Sequence, residues 1–462
     1  MSAITAPSAR LARVDLPILE RPDTAPELPP SLYGARVEKL MERGAARGHD
    51  HLVVYADREH CANLSYLTGF DPRFEEAILI LGPNGRPVLL AGNECIGLAR
   101  NAPLPVEAVL FQELSLPSQP RGRSKPLLEI LADAGIRRGS RVGVIGWKGG
   151  PDRSWINAPA WLVDAVRKVV KGGVVEDATD LLNDAAVGLR VINEPEQIAA
   201  FEHAACETSN GVRNLLFGLQ PGMRERDAVR LLEWSGAPLS CHLMLTAGPR
   251  ARYGLLSPAD RVIERGDPLT VAFGIWGALN CRAGFVVGGA DELPAEIPDY
   301  VDRLVAPYFG AVAEWYAALR VGQTGGALQE IIDRRLGDPF FGIFLNPGHQ
   351  LHLDEWVNSP VGPDSKVELR SGMVMQVDII PATGGPYFTT NIEDGVALAD
   401  AGLRATLAQR FPGLWDRVVR RREFMRDALG IDLHPDVVPL SNIPAFLPPF
   451  LLRPELAMTL AS

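Results

Sequence analysis

Asn346–Val361 reads NPGHQLHLDEWVNSPV. Two histidines, His349 and His352, stand three residues apart, and Asp354 and Glu355 follow directly. The stretch sits between a helical run, ALQEIIDRRL (327–336), and a strand-like run, GMVMQVDIIPA (372–382). It is a metal site, an acid–base site or a polar loop, and the rest of the chain decides which. A partly helical course would put both imidazoles on one side, because residues three apart share a helix face. An extended course sends only one of them into a pocket.

Upstream, NEPEQIAAFEHAACETSNGVRNLLFGL (193–219) carries Ile198, Phe201, Ala205, Val212 and Leu215 at helical spacing. Asn193 is the expected N-cap, and Pro221-Gly222 stops the run. RERDAVRLLEW (224–234) is a second expected helix. HLMLTAG, PLTVAFGIWGALN and GFVVGG read as three strands, then 296–319 as a long helix. NIEDGVALAD (391–400) is a further strand, and the tail holds one helix over 411–429 before an apolar, Pro-rich end.

The first third alternates helix and strand. ARVEKLMERGAARG is a helix ending at Gly48, HLVVYA a strand, and EEAILILGPNGRPVLLAG a hairpin turning at Pro83-Asn84-Gly85. KPLLEILADAG, RVGVIGW and APAWLVDAVRKVV continue as helix, strand, helix, which predicts a mixed α/β domain. The expected division is an extended arm over 1–32, a mixed domain over 33–185, an α+β domain over 186–402, and a C-terminal helix with apolar tail over 403–462.

With 462 residues, two domains are expected. A net charge of -10 argues against a nucleic-acid partner. No apolar run is long enough for a membrane span and the N-terminus lacks a signal-peptide core, so no membrane partner is expected. Five scattered cysteines without CxxC spacing read as reduced thiols of a cytoplasmic protein.

The order of these pieces resembles the pita-bread fold family of methionine aminopeptidase, aminopeptidase P, prolidase and creatinase. ANLSYLTGF (62–70) looks like the creatinase-type N-terminal domain. NEPEQIAAFEHAA, LQPGMRERD, AGPRA, DRVIERGD, PGHQLHLDEW, SGMVMQVD and NIEDGVAL look like successive motifs of the catalytic-type domain. The resemblance covers roughly residues 33–400 and implies an α+β pita-bread domain behind a mixed α/β domain. Metallopeptidases of the family hold two divalent ions with two Asp, one His and two Glu, and the ion pair activates a bridging water. On this chain the two Asp positions fall on Ala272 and Ala283, which have no donor atom. The His position falls on His349 and the Glu positions on Asp378 and Glu393. The family's His after the strand turn falls near Leu255. The resemblance therefore implies no two-metal centre and no cofactor beyond, at most, one divalent ion on His349, Asp378 and Glu393. Creatine hydrolysis does not follow either.

The implied activity is hydrolysis of a C–N bond in a small amide, amidine or peptide-like compound. The alternatives are an inactive binding or regulatory protein of the same fold, and a conventional Xaa-Pro metallopeptidase, which the two alanines oppose. His349, His352, Asp378 and Glu393 are the expected catalytic residues, with His352 as an acquired acid–base group oriented by Asp354 or Glu355. Arg73, Arg252, Asp354 and Trp356 are the expected substrate contacts. A homodimer is expected, with the loop at Arg73 reaching the neighbouring subunit's pocket. Strand alternation puts Arg282 opposite Ala283, where a solvated side chain is expected.

Overall fold

The computed structural model describes residues 9–83 and 85–461. Asn84, the centre of the expected hairpin turn, and the first eight residues of the expected arm lie outside the described residues. The chain divides into two compact units, residues 28–191 and residues 1–27 with 192–462.

The 28–191 unit is built on a six-stranded mixed sheet. The strands run Glu107–Leu110, Val88–Ala91, Ala77–Leu81, His51–Ala56, Arg141–Ile145 and Val174–Asp177 in spatial order. The hairpin is present as an antiparallel pair, Ala77↔Ala91 to Ile80↔Val88. Val53, Ile78, Ile80, Val142 and Val144 share a core with Leu162 and Val166 of helix Ala160–Val170.

The larger unit carries the quoted stretch. Its sheet strands are β1 (Met244–Ala247), β2 (Pro268–Ile275), β3 (Ala278–Phe285), β4 (His349–Gln350), β5 (Val374–Asp378), β6 (Asn391–Leu398) and β7 (Val437–Pro439). They are antiparallel in the order β4-β5-β6-β3-β2-β1, with β7 added beside β6. Helices α1 (Pro195–Gly218), α2 (Ala306–Ala318) and α3 (Gly325–Leu336) complete the layers, and α1 packs on β2 and β3. Ile198, Phe201, Ala205, Val212 and Leu215 of α1 are all buried.

Several local expectations need correction. PLTVAFGIWGALN is not one strand. It folds back at Trp276-Gly277, so that Ala278 pairs with Ile275 and Cys281 with Ala272. Gly277 has φ 94°, and a Cβ there would lie 2.4 Å from Phe201 Cδ1, so only glycine fits the turn. Asn193 does not cap α1. The helix starts after Glu194 with Pro195 in its first turn, where a missing N–H costs nothing. The Asn193 Nδ2 instead donates to Gly372 O at 3.0 Å. RERDAVRLLEW forms only two short turns, Glu225–Ala228 and Val229–Leu232, ending at Glu233 with φ 50°. The helix expected over 411–429 is present as Pro412–Glu423 continued by the turns of Phe424–Ala428, and a further helix, Ala401–Arg410, precedes it and ends at Phe411 before a proline. The arm and the tail meet: Ala9–Arg13 pairs antiparallel with Leu456–Leu460 of the same chain. No helix among the described residues is long and apolar enough to cross a membrane.

Candidate active site

Register brings the chemistry to one face of the sheet. Asp378 (β5) is opposite Glu393 (β6), Glu393 opposite Cys281 (β3), Cys281 opposite Ala272 (β2), and Ala272 opposite Met244 (β1). Directly opposed residues project to the same side, so these five form one lateral row. His349 is paired with Gln376, two residues before Asp378, and therefore joins the same face.

The loop geometry separates the two histidines. Gly348 has φ 119°, and a Cβ there would lie 2.9 Å from Trp315 Cζ2, so glycine is needed where the chain turns into β4. Trp315 Nε1 donates to Pro347 O at 3.0 Å and holds that turn. The chain then leaves the sheet after Gln350 and returns to it: Gln350 N donates to Asn358 O at 2.8 Å, and Val357 N to Gln350 O at 3.0 Å. His349 stays on the strand and His352 sits in the excursion.

His349 Nε2 lies 3.5 Å from Glu393 Oε1, 3.8 Å from Asp378 Oδ2 and 3.9 Å from Glu355 Oε1. The imidazole stacks on Trp356, centroids 4.1 Å apart at 17°. Its Nδ1 faces Gln350 O at 3.3 Å, a carbonyl that can only accept, and its Nε2 points toward the carboxyl groups. His349 is 0% exposed, Asp378 4% and Glu393 3%. His352 is also buried, but its ring meets the Phe201 ring edge-on at 5.0 Å and its Nδ1 accepts from Leu353 N at 2.8 Å. It stands outside the His349–Asp378–Glu393 cluster.

Burial raises the carboxyl groups. It pushes Glu393 up to about 7, and pushes Glu355 to about 7 with help from the Glu393 charge. Asp378 rises well above the usual carboxylate range through burial and then through Glu393. Three acids around one imidazole, with little solvent, favour bound protons or a bound cation.

Two participants were not singled out in the sequence. Cys281 Sγ donates to Glu393 Oε2 at 2.8 Å, and burial holds that thiol well above its ordinary range. Gln376 Nε2 bridges Leu279 O at 2.7 Å and Glu393 Oε1 at 3.4 Å. The period-two alternation of β3 places Cys281 on the side of Ala283, which was the available signal. Glu355 faces His349, whereas Asp354 contributes its backbone carbonyl to His352 N at 3.2 Å.

Arg252 is exposed, with its guanidinium 4.6 Å from the Tyr253 ring centroid. Arg73 belongs to the 28–191 unit, 57% exposed and 3.4 Å from Asp71. Arg282 is opposite Ala283 in facing but is not solvated. It is 1% exposed, and its Nη2 contacts both Asp394 oxygens at 2.9 and 3.0 Å. The far face of β3 is covered by the C-terminal segment, whose Phe446 and Ile443 carbonyls each accept from Arg282 at 2.6 Å.

The donor set decides what metal fits. Ala272 and Ala283 are buried without donor atoms, and Ala272 packs with Met244, Leu279 and Cys281. Neither alanine offers a ligand to a second ion. Donor atoms of His349, Asp378 and Glu393 lie within 4.8 Å of one another, as a site for one ion would require, and His349 Nε2 and Asp378 Oδ1 have no hydrogen-bond partner among the described residues.

Solved structures repeat this architecture. Dipeptidase PepE from Mycobacterium ulcerans superposes with TM-score 0.61 at 16% identity, covering 81% of this chain and 95% of that one. X-Pro aminopeptidase from Thermotoga maritima gives TM-score 0.61 at 16% identity, covering 79% and 95%. This chain has the pita-bread fold. Two curated proteins align with it in sequence. The uncharacterized peptidase YqhT of Bacillus subtilis is 28% identical over 229 residues, 47% of this chain and 62% of YqhT. The Xaa-Pro dipeptidase of Pyrococcus furiosus is 24% identical over 238 residues, 48% of this chain and 65% of the dipeptidase. The chain thus spans less than two thirds of the curated pita-bread relatives it matches. No family model matches it.

Proposed function

We propose that the protein is a hydrolase of a C–N bond in a small amide, amidine or peptide-like compound, working without a two-ion centre. The observation that carries this reading is the buried Nε2 of His349, facing three carboxyl groups at 3.5–3.9 Å. The names of the relatives point to the same bond class.

The chemistry assigned to these residues is acid–base work. Water adds to the electrophilic carbon, giving its proton to a carboxylate of the cluster. The C–N bond then breaks as the nitrogen takes a proton relayed through His349. Glu393, with its carboxyl near 7, has a proton affinity suited to both steps. Asp378 and Glu393 position the water and hold a cationic part of the substrate. A single divalent ion on His349, Asp378 and Glu393 would supply a more acidic bound water. His352 is left out of the relay because it stands outside the His349–Asp378–Glu393 cluster, with its ring against Phe201.

A second reading, a binding protein without turnover, is favoured by one observation: both bridging-ligand positions are alanine. The test is a screen of dipeptides, linear amides, amidines and guanidino compounds with chelated protein and with protein supplied with Mn²⁺ or Zn²⁺. Turnover that falls in His349→Ala supports the hydrolase. Saturable binding with no turnover supports the binding protein. The reading also takes the protein as a cytoplasmic homodimer acting on a small molecule. A monomeric mass at micromolar concentration would contradict the dimer and remove Arg73 from any neighbouring pocket.

A further inference from the structure

The row across the sheet changes character at Cys281. On one side stand Glu393 and Asp378. On the other stand Ala272 and Met244, one and two strands further on. These pack with Leu279, Cys281 and the half-buried Cys241 into a small apolar cluster separate from the main core. Strand spacing puts Ala272 only about 10 Å from Glu393 along the row. Met244, Ala272 and Cys281 keep 9%, 7% and 6% exposure. The sheet therefore offers an apolar shelf continuous with the acidic cluster. Two polar atoms at that cluster, His349 Nε2 and Asp378 Oδ1, lack hydrogen-bond partners among the described residues, although their residues are 0% and 4% exposed. Buried polar groups are ordinarily paired, so these mark the place of a ligand.

We propose that this shelf is a specificity subsite, taking a short apolar group of a ligand whose cationic end rests on Asp378 and Glu393. The ligand class is a small amine or amidine with an alkyl flank. A fully polar cation would leave the shelf dry and unfilled. A long peptide is not required, because the shelf ends at Met244 on the sheet edge strand. Ala272 is the deciding residue: it is the smallest side chain of the row, so a larger one would cover the shelf, and it carries no group that would need solvation.

The proposal rests on the cluster being a ligand site, and its test uses binding alone, so it does not depend on turnover. Chelated protein is titrated calorimetrically with methyl-, ethyl-, propyl- and butylammonium. Affinity is expected to rise about four-fold for each added methylene that is buried, then level off once the shelf is covered. Ala272→Leu should abolish this increment while methylammonium still binds, which also reports that the variant is folded. Cys281→Ser, nearly equal in volume, should reduce the increment. Equal affinity from methyl- to butylammonium, an increment that survives in Ala272→Leu, or no binding of any of the four would overturn the proposal. A protein that shows the increment and hydrolyses nothing keeps the subsite and loses the hydrolase reading.

Discussion

Glu393 and Asp394 are neighbours on one strand, both buried, and face opposite sides of the sheet. Asp394 is fully engaged. Arg282 contacts both its oxygens, Asn280 Nδ2 donates at 2.6 Å, and Ala445 N donates at 2.9 Å. Glu393 accepts from a thiol and a side-chain amide and lies 3.5 Å from His349 Nε2. One face spends its buried charge on tying the C-terminal segment to the sheet. The other brings three carboxyl groups together around one imidazole, an arrangement that stability alone does not favour. The difference separates a structural pair from a site.

The largest effect should come from the structural face. Arg282→Met leaves Asp394 buried and unpaired, and should cost about 3–5 kcal/mol in chemical denaturation. A loss below about 1 kcal/mol would mean that the pair is not what fastens the tail. On the other face, His349→Ala should lower turnover roughly 100- to 10,000-fold, with little change in melting temperature.

The pH dependence sharpens the contrast. Glu393 has its carboxyl raised from the ordinary 4.5 to about 7, so the folded state binds more protons than the unfolded state between those values. The stability it contributes is present below about pH 4.5 and is lost as pH rises toward 7. Glu393→Gln should flatten that slope, by on the order of 2–3 kcal/mol across the window. An unchanged slope would show that the acids are relieved by something else. The smallest effect on activity is expected from His352→Ala. It should leave turnover within about two-fold of wild type while lowering stability by about 1–2 kcal/mol through the lost ring contact. A turnover loss comparable to that of His349→Ala would return His352 to the relay.

Most of the larger unit is legible in the sequence because its motifs are collinear and its long helices have clear period and stops. The hairpin at Gly277 is not, because the run is apolar on both sides of a tight turn marked only by one glycine, at φ 94° and packed against Phe201. Arg282 was misread for a related reason. Alternation gives facing, not burial, and every residue of β3 is buried because both faces of the strand are covered. In the site, the substitution of alanine for donor residues was legible at single positions. The partition of the histidines was not, because it depends on the excursion after Gln350 returning at Val357 and Asn358. Glu355 likewise joins His349 only through that closed loop.

The account stands on the face of Ala272 and Ala283 having no place for a second ion. Native mass spectrometry of the protein titrated with Mn²⁺ or Zn²⁺ tests this directly. The expected result is at most one tightly held ion per chain, lost in His349→Ala. Two tightly held ions per chain would contradict the account.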